Sequence, residues 1–580
     1  MIHIELSLGA GDPVVEERLC EWETQDAVER LWAKDTTLWA PDPPPPELAD
    51  RLGWLDLHET SQGLLPALAQ LRAGVPFWIS DLVLLGMGGS SLAPEVLART
   101  LGAEGLPLTL LDTTHPAAIG QLDWLNPANT IFIVASKSGT TLETLSLFHH
   151  FWSRTQEVVE SPGDHFIAIT DPGSALVELA RERKFRQVFE APADVGGRFS
   201  ALSVFGLVPA ALMGINPAML LEMAKEAADA CQEDIEHNPG FQLAAGLAEM
   251  ARAGRDKLTF VTSPAWSAFP DWAEQLIAES TGKNGVGIVP VAHEPPLEPA
   301  NYGDDRVFVG LVDSPEAIAA AGEWAEADES PERLDALEAA GHPVIRIELD
   351  APEQIGGLFL IWEVAVAMTG SALEIHPFNQ PDVQVAKELA RRAMAGEDIS
   401  DGADEDVELD LAWDMPPWGH AGSALPASVD VDQLQARLDA LLEQVGAGDY
   451  LGIQVYTAGG SEEELESVQT LREALTSATG AATTLGYGPR FLHSTGQLHK
   501  GGANNGVFLQ LVDDAPSHLA VPERDFTFGQ LIRAQADGDL GALAQRERRV
   551  LSIRLGPAEI GLHRLLQLID NYADTHGETI

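Results

Sequence analysis

Cysteine is nearly absent from this chain: Cys20 and Cys231 are the two among 580 residues. Two cysteines cannot build a disulfide framework or a cysteine-based zinc site, and they fit a reducing compartment. Lysine is scarce too, occurring at positions 34, 137, 184, 225, 257, 283, 387 and 500. Against 35 basic residues stand 89 acidic ones, a net charge of −54. Such a surface repels nucleic acid, whose binding rests on phosphate neutralisation. Excess carboxylate with little lysine fits life at high salt, where screening removes much of the self-repulsion. No uninterrupted apolar run is long enough to span a membrane, and the opening residues Met1-Ile2-His3-Ile4-Glu5 lack a basic leader. The expectation is a cytoplasmic protein with no membrane association. The 16 histidines include the pair His149-His150, but no HExxH or cysteine cluster accompanies them. No metal site and no cofactor are expected.

What is present is an alternation of short apolar strands with helical stretches. Residues 1–75 read as helical, broken by a stiff proline run from Pro43 to Pro46. From Leu82 strands and helices alternate: strands at Leu82–Leu85, Leu106–Leu111, Thr130–Val134 and His165–Thr170, the last followed by a turn at Asp171–Ser174. The alternation restarts at Lys257 and runs to a helix over Val383–Met394. Between Glu397 and Asp414 there are nine acidic residues and no basic ones, which reads as a linker. A third α/β unit follows from Asp430. The fold class is therefore α/β: two doubly wound parallel sheets (76–225 and 226–395), an acidic linker (396–425) and an additional C-terminal α/β unit (426–580).

Several segments carry chemistry. Ser136-Lys137-Ser138-Gly139-Thr140-Thr141 follows a β-branched strand and leads into a helix. Four hydroxyls and one ammonium thus gather where a helix begins, and orphan backbone donors with partial positive charge suit a phosphate there. The nucleotide P-loop spacing is absent. Gly86-Met87-Gly88-Gly89-Ser90-Ser91 also joins a strand to a helix; Gly89 lets the backbone approach a ligand and Ser90 can bond an oxygen. Ligands in open α/β sheets sit beyond the carboxyl ends of the strands. Gly196-Gly197-Arg198 presents a planar cation before an apolar helix. Gln275 and Glu279 lie one turn apart on one helix face, and a glutamate in a pocket can act as a general base. Gln380 and Lys387 are nearly two turns apart and can share a face.

Taken together these segments, from about residue 80 to 395, resemble the glucose-6-phosphate isomerase family, whose two halves are sugar-isomerase (SIS) domains. The whole chain is most similar to the isomerase part found fused behind transaldolase in some bacteria, here without the transaldolase part. No eight-fold strand–helix pattern supports a transaldolase barrel. The resemblance implies interconversion of glucose 6-phosphate and fructose 6-phosphate through a cis-enediol. It implies that Ser136, Lys137, Ser138, Thr140 and Thr141 hold the phosphate. Glu279 is then the C1/C2 proton shuttle, Arg198 the enediolate stabiliser, Gln275 and Gln380 sugar contacts, and Lys387 an aid to ring opening.

One departure stands out. Family members place a Gly-Gln-His segment between the glutamate and the lysine, and its histidine helps open the pyranose ring. None lies between Glu279 and Lys387. A similar string, from His493 to Gly502, occurs in the third unit. His499 is the leading candidate, with His493 and His376 as alternatives, acting in the same pocket or in that of a neighbouring subunit; a homodimer is compatible with this. Two other functions are open at this point. One is a non-catalytic phosphosugar-binding regulator, which needs the Ser136 loop alone. The other is a dual phosphoglucose/phosphomannose isomerase, with Thr281 governing the choice.

Overall fold

A computed structural model describes residues 2–321, 328–394, 397, 409–410, 431–516 and 518–576. Most of the acidic stretch 396–425 lies outside the described residues. The chain opens with strand β1 (His3–Ser7). β2 (Asp81–Gly86), β3 (Leu108–Leu111), β4 (Thr130–Ala135), β5 (Phe166–Thr170) and β6 (Gln187–Glu190) form a parallel sheet in the order β3-β2-β4-β5-β6. β7 (Lys257–Thr262), β8 (Val289–Val291), β9 (Arg306–Asp313) and β10 (Val344–Leu349) form a second, in the order β1-β10-β9-β7-β8. β11 (Leu409–Asp410), β12 (Tyr450–Tyr456), β13 (Ala482–Tyr487), β14 (Gly506–Asp513) and β15 (Arg549–Gly556) form a third, β11-β15-β14-β12-β13. β1 is antiparallel to β10; every other pairing within these sheets is parallel.

The central strands are buried on both faces, as parallel sheets require. β4 reads Thr-Ile-Phe-Ile-Val-Ala and is buried at every position. In the first sheet the chain leaves β2 outward to β3 and then crosses back to β4, so strand order reverses between β2 and β4. That switch point opens a crevice at their carboxyl ends, where the Gly86–Ser91 and Ser136–Thr141 loops sit.

The opening segment differs from the helical reading. Helices follow at Asp12–Thr24 and Ala27–Trp32, but His3–Ser7 is an edge strand of the second sheet. Its alternation, with Ile2 and Ile4 buried and His3 and Glu5 exposed, is the period-2 signature of a strand with one buried face. Strands β6 and β13 and the helix Phe528–Gln545 are further elements absent from that reading.

The helix Ile355–Ala372 forms the heart of the second unit, packed on Pro217–Ala230, Pro239–Arg252 and Phe269–Thr281. Among the described residues this helix, taken with the turn before it as Pro352–Ala372, is the one long and apolar enough to cross a membrane, and 94% of its apolar window is buried inside the protein. At its centre Glu363 is wholly buried, and neither carboxyl oxygen has a hydrogen-bond partner. Burial holds this carboxyl well above the usual range. The folded state therefore keeps a proton that the unfolded chain releases near pH 4, so stability falls as pH rises from there towards the folded pKa. Glu363→Leu removes both the unpartnered acid and this slope. We expect it to stabilise the protein by about 1–3 kcal/mol, with a gain in thermal midpoint that is larger at pH 8 than at pH 5. An unchanged or lowered midpoint at both pH values refutes this.

Candidate functional site

The strand β4 ends where Ser136 N–H bonds the Ile169 carbonyl of β5. The chain then turns through Gly139, in the left-handed region at φ +68, where a Cβ would lie 2.8 Å from Ser174 Oγ. Thr141 is the N-cap of the helix Leu142–Val158, and its side chain takes none of the first-turn N–H groups. Ser136 Oγ pairs with Thr141 Oγ1 at 2.8 Å, and Ser138 Oγ with Thr140 Oγ1 at 2.9 Å. Lys137 Nζ is held by both oxygens of Asp171, at 2.7 and 2.8 Å. That carboxylate tethers the ammonium at the rim and offsets part of its charge.

Opposite this loop lies the second unit. Glu279 sits near the end of the helix Phe269–Thr281, and Gln275, one turn earlier, donates to its Oε2 at 3.1 Å. The same amide donates to the His493 carbonyl at 2.7 Å. Arg198 is buried and its donors are fully committed. Nε bonds Ser280 Oγ at 2.8 Å, Nη1 bonds Gln380 Oε1 at 3.1 Å, and Nη2 bonds the carbonyls of Pro377 and Asn379 at 2.5 and 3.0 Å. Nη1 also lies 3.3 Å from Glu279 Oε1. A planar fork held at each edge cannot swing away, so its charge stays beside the carboxylate.

The Gly86–Ser91 loop is where three parts of the chain meet. A Cβ on Gly88 would lie 2.5 Å from the His493 carbonyl oxygen and 2.9 Å from Gln275 Nε2. One on Gly89 would lie 2.2 Å from the Gly197 carbonyl oxygen. Glycine at both positions is a condition for the site to close.

Between these walls is a cavity of about 710 Å³. It gathers Gly89, Ser90, Lys137, Ser138, Thr140, Thr141, Arg198, Gln275, Glu279, Gln380 and Lys387. Ser136 lies just beneath the surface, bonded to Thr141. Lys387 projects from the helix Val383–Met394, which packs on the helix Phe528–Gln545 of the third unit. Glycine at 538 permits that crossing, since a Cβ there would lie 2.7 Å from the Ala390 nitrogen.

The histidine expectation needs correction. His499 does not line the cavity. It is buried among the rings of Tyr450, Phe491 and Phe508, with Nδ1 at 3.3 Å from Gln454 Nε2. Burial holds its pKa well below the usual histidine value, so it stays neutral. The short helix Gly496–Gly501 turns this ring inward, away from the crevice. His376 faces the Pro46 carbonyl at 3.2 Å and also lies off the cavity wall. His493 is the histidine that the cavity exposes, and its Nε2 lies 3.0 Å from Glu143 Oε1. Thr281 is wholly buried, its hydroxyl donating to the Ile277 carbonyl and accepting from Ile288 N–H, so it does not face the cavity.

Glu143 is a site residue that the sequence reading missed. Burial works against its ionised form, but the charge and hydrogen bond of His493 and the charge of Lys387 outweigh this and bring its pKa down to about 2. The signal was its position: a carboxylate in the first turn of a helix that receives an anion must be neutralised by a partner of its own. Gln535 and Lys500, from the third unit, also line the cavity; Lys500 belongs to the His493–Gly502 string, whereas Gln535 left no motif. Among the described residues no group of three or more histidine, cysteine or acidic side chains is placed to hold a metal ion.

Comparison with known proteins gives a consistent picture. The family model for phosphoglucose isomerase matches residues 73–286. A glucose-6-phosphate isomerase from Thermus thermophilus is 30% identical over 390 residues, covering 60% of this chain and 92% of the relative. A probable glucose-6-phosphate isomerase from Natronomonas pharaonis is 31% identical over 353 residues, covering 55% and 79%. Among solved structures, a hypothetical protein from Thermus thermophilus superposes with a TM-score of 0.59 at 27% identity, covering 68% of this chain and all of that one. A glucose-6-phosphate isomerase from Chlamydia trachomatis shares the fold, with a TM-score of 0.52 at 20% identity over 67% of this chain and 85% of that one.

The loop predicts an anion site that can be tested with inorganic phosphate. Replacing Ser138 and Thr140 together by alanine should weaken phosphate binding about a hundredfold, since each hydroxyl bonded to a charged group is worth about 1.5 kcal/mol or more. Titration calorimetry reads this; unaltered affinity would remove the loop from the site.

Proposed function

The chain belongs to the glucose-6-phosphate isomerase family, and we propose that this cavity interconverts glucose 6-phosphate and fructose 6-phosphate by proton transfer through a cis-enediol. The observation that carries the reading is the convergence on one cavity of an anion-binding loop, Ser136–Thr141, and a carboxylate, Glu279, with a guanidinium 3.3 Å from it. The phosphate is a handle remote from the reacting carbons, and its binding energy holds the open-chain sugar in place.

Glu279 removes the proton from C2 and returns it to C1. Its Oε2 accepts from Gln275, which fixes the carboxylate plane for a proton passed between adjacent carbons. Arg198 supplies positive charge to the enediolate oxygens. Its donors to Ser280, Pro377 and Asn379 keep it in place before charge develops, which is what makes such a group effective. Gln380 and Lys387 contact the sugar from the adjacent wall. His493, paired with Glu143, takes the ring-opening role with Lys387, in place of His499.

All these groups belong to one chain, drawn from the proposed units 76–225, 226–395 and 426–580. A homodimer is compatible with the reading, and the chemistry does not call for one. The net charge of −54 argues against a nucleic-acid partner. A charged sugar phosphate does not cross an apolar bilayer, which favours a cytoplasmic setting.

Glu279→Gln is the decisive variant. In a coupled assay following glucose 6-phosphate formation from fructose 6-phosphate, we expect kcat to fall by about a thousandfold or more, as befits loss of a general base, while phosphosugar binding stays nearly intact. Turnover retained with binding lost would overturn the assignment. Wild-type protein that binds both sugars and turns over neither would be a phosphosugar sensor.

A further inference from the structure

The third unit reaches the cavity through a seam of polar contacts with the first. Gln535, on the helix Phe528–Gln545, is buried at 5% exposure and lines the cavity. Its Nε2 donates to Glu143 Oε1 at 2.7 Å, and its Oε1 accepts from Thr114 Oγ1 at 2.7 Å. The same Glu143 oxygen receives His493 Nε2–H at 3.0 Å. Farther along the seam His115 Nε2 meets Asp513 Oδ1 at 3.0 Å.

The chemistry of these partners fixes their orientation. An ionised carboxylate offers no donor, so the amide must turn its NH₂ towards Glu143 and its oxygen towards Thr114. The clamp of Thr114 on the amide oxygen therefore holds the NH₂ on the same Glu143 oxygen that His493 bonds. The carboxylate in turn decides which imidazole nitrogen carries the proton, since Nε2 must donate. The backbone of His493 is held independently, through the Gln275 amide on its carbonyl.

We propose that Gln535 is a positioning residue of the isomerase, whose Thr114-clamped amide shares the Glu143 oxygen that His493 bonds and so sets how firmly that carboxylate holds the imidazole. This rests on the assignment of His493 to ring opening. Other titratable groups facing the pair are Asp112 at the end of β3, Lys387, Lys500 and Glu279. None of them bonds the shared Glu143 oxygen, which His493 and Gln535 occupy.

Removing the amide leaves the carboxylate's charge on His493 less compensated, which moves the acidic limb of the kcat/KM profile to higher pH. The test uses the full-length chain and four variants, with kcat/KM for fructose 6-phosphate measured from pH 5 to pH 9. Gln535→Met should shift the acidic limb upward by about half to one pH unit, the equivalent of one hydrogen bond, with a plateau within tenfold of wild type. Thr114→Val, which leaves Gln535 in place but frees its oxygen, should shift the limb the same way by less. It serves alone if Gln535→Met does not fold. Asp513→Asn loosens the same seam without touching the amide and should leave the limb in place. His493→Ala should lower kcat/KM by a hundredfold or more.

An unmoved limb in Gln535→Met and Thr114→Val, alongside the loss in His493→Ala, overturns the proposal while sparing the site assignment. Equal shifts in Gln535→Met and Asp513→Asn also overturn it, because the glutamine then acts only through the packing of the seam. Unaltered kcat/KM in His493→Ala sinks the ring-opening assignment itself.

Discussion

The buried guanidinium of Arg198 is the tie on which the site depends. It rises from a loop of the first unit and spends every donor on the second: the hydroxyl of Ser280 beside Glu279, the amide of Gln380, and two carbonyls just before the lysine helix. A cation with these partners removed would be an uncompensated buried charge, costing several kcal/mol. The pairing proposed to supply charge to the reaction thus also ties the first sheet to the second. Positioning and electrostatics are one feature here, and neither can be altered without the other.

The third unit enters the same arrangement from a different direction. Arg472 is buried against the carbonyls of Ala292 and His293 and the Thr483 carbonyl and hydroxyl, while Glu294 accepts from Thr483 N–H and is paired with the buried Arg306. Asp382, at the start of the lysine helix, accepts from Gln497 and is ion-paired with Arg546. The second and third sheets are joined by buried polar groups that bond across their boundary. A small shared apolar cluster, with Val289, Val291, Tyr450, Leu498 and Phe508, fills the space between.

Much of the first two units was legible because their signals are local. β4 is a run of β-branched and aromatic residues followed at once by hydroxyls and a helix, and the strand–loop–helix expected there follows from that order. Glu279 and Gln275 could be paired because helical spacing alone puts them together. What escaped depends on distant partners. β1 is five residues long and becomes a strand through β10, far along the chain. The helix Phe528–Gln545 contains Gly529, Gly538 and Gly541, which depress helix propensity, yet Gly538 is what lets the lysine helix lie against it. His499 was favoured because its neighbours resembled a family string, but a single turn of helix separates an inward ring from the exposed one six residues earlier.

The crossing at Gly538 has a mechanical meaning. A methyl group there would meet backbone rather than a yielding side chain, and the helix carrying Lys387 would have to move. The third unit is then no detachable appendage but a buttress: a chain severed near residue 395 would lose the wall its lysine leans on, bare the apolar face around Val289 and Val291, and strand Asp382 without Gln497 and Arg546. Shortening such a protein to its two family-like halves would leave a scaffold without the brace that aims it.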